Sequence, residues 1–445
     1  MFSTLLAFVP IGWMTWYAVG FDADERTVLE NAAAFREKFG GYLDEKPVLW
    51  VDWEWFHRKF GSRGADGEDA LTPHAKAYPR GLKALADDLR RMGFTPALWV
   101  APQADVRTNA LLAAHREWIL GSSPFWGGHV FADPTAPGFY DGYLKPAFDL
   151  YRSWGYEMFK WDCMPNTWLF YKEKKDHFAA RGHTPESAFR KLLEDGRRAV
   201  GDGTHLLYCH ASKPYDKVFL PNRRLFDAVR IGDDVFDWTA FRRHAVEAYL
   251  DFLPYADETM PDVDNLVLRE KYSTVAQART RVTFVALTGL PVTLGDRIAD
   301  LDEARIGMLR RIMPVVKAES GSPAPVLKDD LLELTANYVR DGRRWTMRAW
   351  SNLSTNRTVT VTVSAPGQAT WDVWNERLVS ADGRACTCPV GPGDTLLVKV
   401  TPLEAHGPTP VGATRHLTQA AVRSAPGAVE RTYWLENGRV RREER

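Results

Sequence analysis

Up to about residue 320, short apolar runs alternate with amphipathic segments that stop at glycine, the texture of a repeated parallel βα unit. Residues 80–93 show one such unit. Leu82, Leu85, Leu89 and Met92 recur at helical spacing, Asp87, Asp88, Arg90 and Arg91 take the other face, and Gly93 stands where a left-handed residue closes a helix. Pro96 to Ala101 then reads as a buried strand. In the next unit Phe148, Tyr151 and Trp154 share a helix face, Gly155 is the stop, and Glu157 to Asp162 is the strand. Counted this way, the pattern predicts strands near 12–17, 47–52, 96–101, 157–162, 205–210, 228–232, 262–267 and 291–295. Eight units in about 250–300 residues, with no glycine-rich dinucleotide fingerprint after an early strand, fit a (β/α)8 TIM barrel rather than an open doubly wound sheet.

After a helix predicted at 302–318 the period changes from helical to two. Arg357 to Val363 and Thr395 to Val400 alternate, with turn signals at Asp341-Gly342, Asp382-Gly383 and Gly391-Pro392-Gly393, which reads as a small antiparallel β-sandwich over 331–403. The expected organisation is a catalytic barrel over 1–322, a C-terminal β-sandwich over 323–403 and a tail over 404–445. In the tail, 405–413 reads as a linker, and 415–442 could add strands around an Asn437-Gly438 hairpin turn.

The 57 Lys and Arg balance 57 Asp and Glu, which removes the electrostatic reason to expect nucleic acid. The apolar stretch Leu5 to Met14 holds Pro10 and Gly12 and lacks a basic flank, so no membrane span or intact signal peptide is expected. The reading is cytoplasmic, or secreted or periplasmic with the leader removed. Four cysteines and no paired C-x-x-C imply neither a disulfide scaffold nor zinc, and no metal or cofactor is expected.

In a (β/α)8 barrel the strand C-termini build the active site. The polar and aromatic residues at those positions are Trp16, Asp52 and Glu54, Gln103 and Asp105, Asp162, His210, Asp233 and Asp234, Asp262 and Asp264, and Asp296. Alternation puts Lys160 and Asp162 on one face at the end of strand four, where a cation keeps a carboxylate ionised for nucleophilic attack. A structural ion pair accounts for them equally well. At strand six, Arg230 could orient a carboxylate or bind a hydroxyl, while Asp237, and with less weight Asp234, could instead cap the helix near Trp238. Two carboxylates from two strand ends, aromatics around the mouth and no cofactor motif fit glycoside hydrolysis. The 17 tryptophans agree, because indole faces stack on the C–H faces of a pyranose. Twelve lie at or before Trp238, and Trp16, Trp53, Trp55, Trp99 and Trp161 are the candidates for a sugar site, the others being assigned to the core.

The segments PIGWMTW at 10–16, ENAAAF at 30–35, VLWVDWEW at 48–55, YPRGLKALADDLRRMGFTPALWVAP at 78–102 and FKWD at 159–162 follow one another in a familiar order. RIGDDVFDW at 230–238, PDVDNLVL at 261–268 and QARTRVTFVALTGLPVTLGDRI at 277–298 complete it. Over roughly 10–400 the chain resembles the α-galactosidase-like enzymes of glycoside hydrolase families 27 and 36, which together form clan D. The architecture is nearer the shorter family 27 plan. The resemblance implies Asp162 as nucleophile, Asp234 as acid/base, Lys160 and Arg230 as ligands of sugar hydroxyls, and Trp16 as an aromatic wall. Asp262 and Asp264 match an Asp-Pro-Asp motif, and Cys163 and Cys209 lie near two cysteines that relatives pair in a disulfide, Cys163 being shifted by one residue.

Two departures bear on the sugar. Relatives carry twin acids after strand two that grip the 4- and 6-hydroxyls of galactose, whereas this chain has Asp52-Trp53-Glu54-Trp55, with Glu54 on the wrong parity unless the chain leaves strand geometry. After strand five, where relatives read the 2-substituent, it has Cys209-His210. The sequence therefore predicts a retaining exo-glycosidase acting on a terminal α-linked galactose or related pyranoside, with Trp16, Asp52, Trp53, Glu54, Trp99, Lys160, Cys209, His210, Arg230 and Asp264 around the sugar. Its partner is a carbohydrate, neither nucleic acid nor membrane, and self-association is left open. The alternatives are another clan-D activity (α-N-acetylgalactosaminidase, β-L-arabinopyranosidase or transglycosylase) or a non-catalytic sugar-binding barrel.

Overall fold

The computed structural model describes residues 10–56, 69–105, 109–122, 130–209, 218–315, 317–319, 324–340, 342–413 and 431–444. Of eight parallel strands, Ile11–Met14, Val48–Val51, Thr95–Val100, Met158–Trp161, His205–Tyr208, Ala228–Arg230, Met260–Asp262 and Val292–Leu294, the first seven are hydrogen-bonded in chain order. The eighth pairs with the first through Ile11 and Val292, and a parallel bridge between Leu266 and Leu294 links the seventh unit to the eighth. This is the (β/α)8 barrel, and its strands are continuous apolar runs because helices cover the outside while side chains fill the inside.

The ends of the elements differ from the pattern. The first strand stops at Met14, so Trp16 rides on a short helix, Thr15–Val19. The seventh strand is Met260–Asp262, which leaves Asp264 in the loop beyond it with a left-handed φ of +73°. The helix expected to reach 318 is Glu303–Ile312; Asp302 caps it by accepting from Arg305 N at 2.8 Å, and Pro314 lies just past its end.

Between strands three and four a small antiparallel sheet of Ala104–Asp105, Ile119–Ser122 and Val130–Ala132 rises from the barrel. Behind strand four, the helix Pro185–Val200 brings Gly196 against the Trp161 ring, where an added Cβ would lie 2.0 Å from ring carbons. Alanine inside a helix normally gains about 1 kcal/mol over glycine. At Gly196 overpacking wins, so Gly196→Ala is expected to destabilise by about 1–3 kcal/mol, read as a lower urea midpoint.

A six-stranded antiparallel sheet follows, ordered Ala324–Lys328, Leu331–Arg340, Arg343–Asn352, Thr395–Pro402, Gln368–Asp372, Arg377–Ser380. With the pair Val359–Val363 and Cys386–Val390 it encloses a core that includes Trp350, Val361, Val390 and Val398. Its other side meets the barrel helix Val275–Thr288: Thr280 Oγ1 donates to the Gly393 carbonyl at 2.8 Å and Trp374 Nε1 to Thr283 Oγ1 at 3.0 Å. The reading of 405–413 as a linker is corrected. Thr409–Ala413 is a strand paired with Arg431–Glu436, Val411 is buried, and Gly412 is pressed so close to Trp371 that a Cβ would sit 2.3 Å from its Nε1. Arg439–Glu444 completes this three-stranded sheet around Asn437 and Gly438, both at positive φ as a two-residue hairpin turn requires.

Candidate active site

Strand four places Lys160 inside the barrel and Asp162 one residue past its end. Lys160 Nζ lies 2.8 Å from Asp52 Oδ2, and both side chains are almost fully buried. Burial opposes the charge on Lys160, but Asp52, with Cys209 and Asp162 beyond it, more than offsets this and holds the ammonium protonated. Asp162 is fixed at both carboxylate oxygens: Trp99 Nε1 donates to Oδ2 at 2.8 Å and the Cys163 backbone N–H to Oδ1 at 2.5 Å. Cys163 is a left-handed N-cap, φ +64°, of the helix Met164–Glu173.

Strand six ends in Arg230, whose buried guanidinium forks between Asp234 Oδ1 and Asp264 Oδ1, each at 2.8 Å. Asp264 also accepts from Val235 N at 2.7 Å, and its left-handed backbone is one that aspartate tolerates. Asp234 is half exposed and takes the Trp16 indole N–H at 3.2 Å. Desolvation works to raise its carboxyl, yet Arg230 and Lys160 hold it well below the usual carboxylate range. Burial pushes the Cys209 thiol up, and so do the charges of both carboxylates, Asp162 and Asp234.

An aromatic chain connects them. Trp16 lies 6.1 Å from Trp53, and Trp53 lies 6.0 Å from Trp99, ring centre to ring centre, with Phe21 against Trp16 and Trp53 at 5.2 and 5.4 Å. Trp16, whose N–H reaches Asp234, and Trp99, whose N–H reaches Asp162, stand at its two ends.

Glu54 is reached differently from the parity argument, because strand two stops at Val51. The Asp52 carboxylate accepts from Trp53 N at 2.8 Å and tips Trp53–Trp55 into a 3-10 turn. Glu54 is then fully buried, and Thr15 Oγ1 bridges the pair by accepting from Asp52 N and donating to Glu54 Oε1. Burial, then the charge of Asp52, push the Glu54 carboxyl from 4.5 to about 8. Between those pH values the unfolded chain has released a proton that the folded protein keeps, so stability falls as pH rises through this window. Glu54→Gln removes this loss. Its stability relative to the wild type is expected to improve by ~2–4 kcal/mol between pH 5 and pH 8, measured by urea unfolding.

Other residues are placed elsewhere. Trp55 is a core residue, donating to the Trp99 carbonyl at 2.9 Å and packed on Phe56, Tyr151 and Trp154; Trp161 is buried against Phe148 and Gly196. Neither lines the mouth, because strand alternation turns Trp161 outward and the 3-10 turn carries Trp55 behind Trp99. Asp237 caps the following helix by accepting from Ala240 N at 2.8 Å, and Asp296 accepts from Leu268 N at 2.6 Å. Asp262 Oδ1 supports Asp264 N at 2.8 Å. Cys163 and Cys209 are buried free thiols. His210 and the side chain of Asp105 lie outside the described residues. Tyr17, which pattern alone does not single out, is buried in the field of Arg230, Asp264 and Asp234; its signal is only its place three residues after the end of the first strand.

Among the described residues no group of three or more His, Cys, Asp or Glu could hold a metal ion, and no helix is long and apolar enough to cross a membrane. No protein-family model matches the chain. Solved structures do. A family 27 β-L-arabinopyranosidase from Geobacillus stearothermophilus superposes with a TM-score of 0.72 at 19% identity, covering 90% of this chain and 98% of that one. α-Galactosidase I from Mortierella vinacea gives 0.62 at 16%, covering 90% and 98%, and an α-galactosidase from Saccharomyces cerevisiae gives 0.60 at 12%, covering 90% and 99%. At these identities the likeness establishes the fold: a (β/α)8 barrel with a C-terminal antiparallel β domain.

Proposed function

We propose that the protein is a retaining exo-glycosidase acting on a terminal α-linked galactose or a pyranoside of the same ring configuration. The observation that carries this is that Asp162 and Asp234, from two strand ends, are held at the two ends of one run of indoles, Trp99, Trp53 and Trp16. Asp162, its carboxylate fixed at both oxygens, attacks the anomeric carbon. Asp234 delivers a proton to the leaving oxygen and then takes one from the water that hydrolyses the glycosyl ester. Arg230 holds Asp234 ionised in the free enzyme, so sugar hydroxyls that accept from Arg230 release the carboxylate to carry its proton. The Asp52–Lys160 pair offers one acceptor and one donor to a hydroxyl.

Trp53 favours a second specificity on the same mechanism. Its apolar ring sits buried between Trp16 and Trp99 where relatives carry an acid, which suits a pentopyranoside with no exocyclic hydroxymethyl, such as β-L-arabinopyranose. A panel of 4-nitrophenyl α-D-galactopyranoside, β-L-arabinopyranoside, α-D-fucopyranoside and 2-acetamido-α-D-galactopyranoside decides this by kcat/KM. Hydrolysis of one or more is expected. No turnover of any, with sugar binding intact, would identify a non-catalytic barrel instead.

A further inference from the structure

Gln103 follows strand three and is completely buried, and the mechanism above does not use it. Its amide is fully engaged. Oε1 accepts from Trp161 Nε1 at 2.7 Å, while Nε2 donates to the Asp162 backbone carbonyl at 2.7 Å and to Thr167 Oγ1 at 3.3 Å. Thr167 Oγ1 in turn donates to the Cys163 carbonyl at 2.7 Å. Gln103 is itself anchored, since its backbone carbonyl accepts from Ala132 N at 2.9 Å in the small sheet.

The carbonyl that Gln103 holds belongs to the Asp162–Cys163 peptide unit. The N–H of that same planar unit donates to Asp162 Oδ1. Fixing one end of the plane therefore fixes the donor at the other, which stabilises the carboxylate in one rotamer. The next residue, Cys163, is a non-glycine at positive φ, a conformation that persists only where surrounding bonds impose it. A turn held this way has few alternatives as long as the Gln103 amide is present.

We infer that Gln103 is a positioning residue for Asp162, holding the Asp162–Cys163 peptide plane so that its N–H stays on the attacking carboxylate. The inference rests on the reading of Asp162 as nucleophile. It acts on the formation of the glycosyl-enzyme and not on sugar affinity, because Gln103 touches backbone, Trp161 and Thr167 rather than the mouth. Gln103→Met keeps the length and apolar volume but removes the donors and the acceptor.

The test measures four quantities in the full-length chain: kcat/KM for the preferred nitrophenyl glycoside, the rate of trapping by the matching 5-fluoro glycosyl fluoride, the inhibition constant of the free monosaccharide, and the urea midpoint. In Gln103→Met, kcat/KM and the trapping rate are expected to fall about 10–100-fold and the inhibition constant to stay within about two-fold. Thr167→Val should show the same pattern more weakly and Thr167→Ser should restore it, and this pair carries the test if Gln103→Met does not fold. A wild-type trapping rate in these variants, whatever the urea midpoint does, would overturn the inference. A wild-type enzyme labelled on a residue other than Asp162 would overturn the nucleophile reading instead.

Discussion

Asp162→Ala is expected to lower kcat on the preferred nitrophenyl glycoside by on the order of 10⁴-fold or more, while the free monosaccharide still binds. The loss is large because the carboxylate is the only group proposed to form the bond to the anomeric carbon, and Trp99 and the Cys163 N–H already hold it aimed. Removing it opens space on that face of the sugar. Azide added to Asp162→Ala should therefore restore part of the rate, its nitrogen bonding to the anomeric carbon as the nitrophenolate leaves. The product should be a glycosyl azide of opposite anomeric configuration to the substrate. If azide accelerates nothing and Asp162→Ala turns over normally, Asp162 is not the attacking group.

The second large effect is at Asp234, and it depends on the leaving group. A 2,4-dinitrophenolate departs without a proton, whereas an alkyl or sugar oxygen requires one. Asp234→Asn is therefore expected to cut kcat/KM for a disaccharide by about 10²–10⁴-fold and for the dinitrophenyl glycoside far less. Its pH dependence follows from the arrangement around Arg230. In the free enzyme the ion pair holds the Asp234 carboxyl below the usual range, so the group loses its proton as pH rises through that lowered value. kcat/KM reports the free enzyme and should decline on its alkaline side at a lower pH than kcat, which reports the complex in which hydroxyls have engaged Arg230. Asp234→Asn should lose that alkaline limb in both profiles. Equal losses for all leaving groups would point to Asp234 as a binding residue only.

The barrel was readable because buried parallel strands are continuous apolar runs, and each of the eight predicted strands overlaps an observed one. Element ends were less readable, and the site lives at those ends. The pattern runs a strand through Trp16, which is helical, and through Asp264, which is left-handed, since the apolar run through Val263 and Leu266 continues past the point where pairing stops. Glu54 reads as misdirected only if alternation is carried to it beyond Val51, where the strand ends and the Asp52 carboxylate turns the chain. Identity alone could not sort the tryptophans. All four of Trp53, Trp55, Trp99 and Trp161 are buried, but Trp99 bonds Asp162 and lies beside Trp53, whereas Trp55 packs on Tyr151 and Trp154 and Trp161 on Gly196, a difference decided by turn geometry and by Gly196, which carry no aromatic signal themselves. Gln103 was visible only as a polar residue after strand three. Its partners Trp161 and Asp162 are 58 and 59 residues away, so only the tertiary fold shows what it holds.

The proposed covalent intermediate is the step on which these expectations rest, and it can be observed directly. The full-length protein incubated with the 5-fluoro glycosyl fluoride of the preferred sugar, then digested and analysed by mass spectrometry, should carry one fluoroglycosyl group, on the peptide containing Asp162. Protein that turns over the nitrophenyl glycoside yet acquires no label, and whose first-formed sugar product has the anomeric configuration opposite to the substrate by NMR, would contradict a double-displacement mechanism through Asp162.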